Sequence, residues 1–79
     1  MLMRIKDYTE AIKLNYKSFN AYFKRGSIYL AQQKYDEAIN DYTKAIEIDP
    51  KSADAYNNRG VAHSRKTKET WQLTIFALP

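Results

Sequence analysis

The side chains able to do chemistry are few. His63 is the one histidine of this 79-residue chain, and there is no cysteine. A metal centre needs several such ligands together, so neither a metal nor a cofactor is expected. Tyr56, Gly60 and His63 fall at helical spacing, which predicts a packed, structural histidine. The carboxylates Asp36 and Glu37, and Asp41 and Glu47, fall on helix ends or exposed helical faces, where solvation explains them without general acid–base work. No glycine-rich phosphate loop and no nucleophile with a positioned base is visible. The chain reads as a non-enzyme. One basic group, Arg59, Arg65, Lys66 and Lys68, has the charge to meet phosphates or an anionic surface. Its setting argues against a nucleic-acid surface, which usually needs a continuous basic stripe. The net charge of +4 sits at the two ends, and residues 19–52 hold five basic against five acidic groups.

These residues stand on elements that occur nearly twice. Asp7-Tyr8-Thr9, Ala11-Ile12 and Lys17-Ser18 return 34 positions later as Asp41-Tyr42-Thr43, Ala45-Ile46 and Lys51-Ser52. Ala21-Tyr22 with Arg25-Gly26 likewise returns as Ala55-Tyr56 with Arg59-Gly60. A period of this length denotes a supersecondary unit that buries its apolar face by stacking on its own copy. Tyr35, Ala38, Ile39, Tyr42, Ala45 and Ile46 recur at three- and four-residue steps, one apolar stripe of a helix. Pro50 disfavours helical geometry at Asp49, so that helix should stop near Ile48. Asn20 to about Gln32 forms the helix before it, joined through Gln33-Lys34 into an antiparallel hairpin. Ser18 and Ser52 are suited to cap the helices that follow them.

The single domain, 1–79, therefore divides into a second-type helix of a partial repeat (1–18), a complete repeat (19–52), a first-type helix (53–66) and a divergent tail (67–79). Residues 65–70 are polar and Trp71 to Leu78 apolar, which suggests a turn lengthened by two residues after Lys66 and then a short, degenerate second-type helix ending at Pro79, the alternative being a frayed end. The whole would make about four and a half helices. Without disulfides, a domain of this size must gain stability from stacking, self-association or a neighbour. No apolar run reaches the roughly 18 residues of a membrane span, and Met1 to Glu10 lacks the apolar centre of a signal peptide. A cytoplasmic location is expected, with no membrane partner.

The complete unit resembles the tetratricopeptide repeat. Tyr22 stands at the first aromatic place of that signature, Arg25-Gly26 at leucine-glycine, and Tyr29 at tyrosine. Ala38, Tyr42 and Pro50 complete the series at matching intervals. Arg25 departs from the pattern. In the partial copy Tyr56 and Gly60 match, Arg59 departs again, and His63 replaces the tyrosine. The resemblance covers about residues 4–66. It implies an all-α fold, antiparallel helix-turn-helix repeats forming a fragment of a right-handed α-solenoid. It also implies a scaffold that binds a protein or peptide on the concave face of its first helices. Asn20, Phe23, Lys24, Ser27, Leu30, Asn57, Asn58, Val61 and Arg65, off the Tyr–Gly–Tyr stripe, would line that groove. A subset of the family grips acidic chaperone tails with a lysine–asparagine clamp. Asn58 matches one position, but Phe23 and Ser27 stand where lysine and asparagine are needed.

The alternative function is self-association into a homo-oligomer. The opening second-type helix, lacking its partner, would leave Ile5, Tyr8 and Ile12 open, beside Trp71, Ile75 and Phe76 at the other end. Contiguous apolar surface of that kind tends to be covered in an interface.

Overall fold

The computed structural model describes residues 4–77, with side chains described as far as Thr70. Four helices follow one another: α1 (Ile5–Leu14), α2 (Phe19–Ala31), α3 (Tyr35–Ile48) and α4 (Ala53–Ala77). There is no strand among the described residues.

The repeat in sequence is a repeat in local structure. At the end of α1, the Asn15 side chain accepts from Lys17 N–H at 3.1 Å; at the end of α3, Asp49 accepts from Lys51 N–H at 3.1 Å. Each short polar side chain thereby closes the same turn over its own backbone. Ser18 then accepts from Ala21 N–H and Ser52 from Ala55 N–H, both at 3.2 Å, so the expected N-caps are made. α3 stops at Ile48, and Asp49 before Pro50 is extended.

The α2–α3 turn closes differently. Gln33 is left-handed, with φ of 64°. Lys34 N–H donates to Tyr29 C=O and Gln33 N–H to Leu30 C=O, the paired bonds of a Schellman ending.

Small side chains let the helices approach. Ala38, Ala45, Ala55 and Ala62 are fully buried, and so is the Tyr42 side chain. Ala38, Tyr42 and Ala62 form one cluster, covered by Phe23, Tyr29, Leu30 and Ile39. Ala45, Ile46 and Ala55 form another, covered by Phe19, Tyr22 and Phe23. α3 is thus the central helix, packed between α2 and α4. α1 packs on α2 and has no fully buried residue. Ile5, Tyr8 and Ile12 are neither buried nor fully exposed.

Two expectations fail on α4. The turn expected between Lys66 and Trp71 is absent: the helix continues unbroken to Ala77. No proline or glycine interrupts that stretch, and contacts to the start of α3 hold it. Lys66 pairs with Asp36, and Tyr35 O–H donates to Glu69 at 3.2 Å. Trp71, Ile75 and Phe76 lie on this continuation, their side chains outside the described residues. The described residues accordingly hold four helices rather than four and a half. Secondly, Tyr56 and His63 are exposed, Tyr56 by 46%, instead of packed. With α4 running straight on, no second-type helix folds back over that face among the described residues.

Candidate functional site: the face of the two first-type helices

Arg25 and Arg59, the departures from the repeat signature, organise the contacts between helices. Arg25 reaches from α2 to both neighbours. Its Nε and Nη2 donate to the two oxygens of Asp41 at 2.8 and 2.7 Å, and its Nη1 donates to Thr9 Oγ1 at 3.0 Å. Asp41 is buried, only 4% exposed. The two-pronged bond to it raises the Arg25 pKa above its ordinary value, against the lowering effect of burial. The guanidinium also lies 5.9 Å from the centres of the Tyr22 and Tyr29 rings, within cation–π range. Arg59 repeats part of this set, donating to Thr43 Oγ1 at 3.2 Å and lying 5.5 Å from the Tyr56 ring. The resemblance marked both arginines as departures from the signature; their carboxylate and hydroxyl partners needed the fold.

The expected groove residues divide by depth. Phe23 is half-buried, stacked on Phe19 at 5.5 Å between centroids and edge-on to Tyr42 at 5.8 Å. Leu30 packs on the Ala38–Tyr42–Ala62 cluster. Both apolar side chains thus find cover within the chain. Ser27 hydroxyl shares a 2.9 Å hydrogen bond with Tyr42 hydroxyl, and the Asn58 side chain from α4 also interacts with that hydroxyl. Burial raises the Tyr42 pKa, while Ser27 and Asn58 oppose the shift. Tyr42 thus joins α2 to α4, bonded to Ser27 of the one and packed on Ala62 of the other. Val61 is half-buried, whereas Asn20, Lys24, Asn57 and Arg65 are exposed.

Among the described residues, α2 and α4 are in contact whereas α1 and α3 are not.

Other chemistry finds less support in the arrangement. The described residues contain no group of three His, Asp or Glu side chains able to hold a metal. Of the four basic residues on α4, Arg59 is turned to Thr43 and Lys66 to Asp36. No helix among the described residues is long and apolar enough to cross a membrane.

A family model described as TPR repeat matches residues 26–66, more than half of the chain. No curated protein matches it.

Proposed function

Since this chain belongs to the tetratricopeptide-repeat family, whose members generally mediate protein–protein interaction, we propose that it binds a peptide or partner helix along the inner face of α2 and α4. The observation that carries this reading is the contact of α2 with α4 while α1 and α3 stay apart. Asn58, Ser27 and Val61 are half-buried along this face, and exposed Asn20, Lys24, Asn57 and Arg65 surround them. Amide and hydroxyl groups can bond a peptide backbone without dictating its sequence, and the two cations favour a partner with acidic side chains.

Phe23 is a poor probe of binding, because truncating it would disturb the Tyr42 cluster. The test is a peptide array read with wild type and with Lys24→Glu/Asn57→Ala, which alters exposed groups only. Captured peptides should be acidic, and the variant should bind them at least tenfold more weakly with unchanged helix content. Equal capture by both proteins would show that this is the wrong face.

A further inference from the structure

Gly60 has no local reason to be glycine. Glycine inside a helix is unfavourable relative to alanine. At Gly26 the need is plain: a Cβ there would stand 3.2 Å from Asp41 Cβ and 3.2 Å from the Tyr42 ring. At Gly60 a Cβ would meet nothing within 4 Å. The residues around it are equally unfinished. Tyr22 and Tyr29, flanking Gly26, rest on the two core clusters, whereas Tyr56 and His63 at the corresponding positions are exposed. Arg25 has both Thr9 and Asp41, whereas Arg59 has Thr43 but no carboxylate among the described residues.

What covers Gly26 is Asp41 and Tyr42 of α3, and Ala45 and Ile46 of the same helix pack on Tyr22 and Phe23 of α2. The same four residue types at the same offsets occur once more, as Asp7, Tyr8, Ala11 and Ile12 of α1. Asp7 is exposed, and its bond from Arg4 N–H involves Oδ2. A carboxylate has further lone pairs for an arginine fork. α1 already packs on its own α2 through Thr9 and Arg25, as α3 packs on α4 through Thr43 and Arg59. Its surroundings thus match those of α3 on one side only.

We propose that α4 is a socket for α1 of a second copy of this chain, with Asp7 of that copy paired to Arg59 and its Tyr8 ring lying over Gly60. The contact is head-to-tail, so each chain has one socket and one plug, and association continues into chains of copies rather than stopping at a symmetric dimer. The equivalence runs from Asp7 to Ile12 and stops at Arg4, which stands where α3 has Ala38. This interface is separate from the peptide-binding groove and does not depend on it.

Sedimentation velocity over a concentration series tests the proposal. Wild type should rise above the 9.3 kDa of one chain with increasing concentration. Gly60→Leu, which adds bulk into open space, should keep its helix content and remain monomeric. Arg59→Asp and Asp7→Arg should each be monomeric alone, since each sets like charges together. Mixed in equal amounts they restore opposite charges at both junctions and should associate again. A wild type that is monomeric at millimolar concentration overturns the proposal. So does a Gly60→Leu variant that associates as wild type does, or a mixture of well-folded charge variants that stays monomeric.

Discussion

Arg25 and Asp41 make the contact on which three helices depend. Two ions leaving water lose several kcal/mol of hydration each, and the fork geometry offsets that only while both are present. Asp41→Ala should therefore cost roughly 3 kcal/mol by stranding the guanidinium. Arg25→Leu/Asp41→Ala, with no stranded charge and the leucine usual for the repeat signature, should recover most of that loss. Urea unfolding of both variants checks the order. A double variant less stable than Asp41→Ala alone would mean that the arginine packs rather than pairs. Arg25 stood out in the sequence as a misfit, but Asp41, sixteen residues on, looked like a solvated helix charge. Its burial depends on the crossing of α2 and α3, which no local pattern contains.

At the scale of the helix, the two glycines separate intrinsic helix preference from packing. Gly60→Ala should stabilise the dilute protein by up to about 1 kcal/mol, because alanine is the better helix former and the site is open. Gly26→Ala gains the same preference and loses it again against Asp41 and Tyr42, so its unfolding midpoint should not rise. Equal stabilisation at both sites would contradict the close approach of α2 and α3. Helix ends set by short-range chemistry were legible: Ser18, Ser52 and Pro50 mark their boundaries within a few residues. The continuation of α4 through 65–70 was not. Its polar residues resemble a turn by composition, and only Asp36 and Tyr35, some thirty residues earlier, show why they stay helical.

Across the whole molecule, burial is uneven. α3 holds most of the enclosed side chains and α1 holds none. Amide exchange should follow this gradient, with α1 opening first and the amides of Tyr42 to Ile46 exchanging last. Uniform protection over all four helices would mean that α1 is covered in solution, and dilution would then tell whether another copy covers it.

The 34-residue recurrence, the apolar stripes and the capping residues by themselves determined an all-α repeat, because each depends on neighbours a few positions away. The family resemblance implied Phe23 and Leu30 as groove residues, and both are also partly covered by the chain's own core. Helical spacing suggested a packed Tyr56 and His63, which the fold leaves open. Only the tertiary structure decided these points. A periodic sequence repeats the shape of a surface, but whether that surface is covered depends on which helix comes to lie against it.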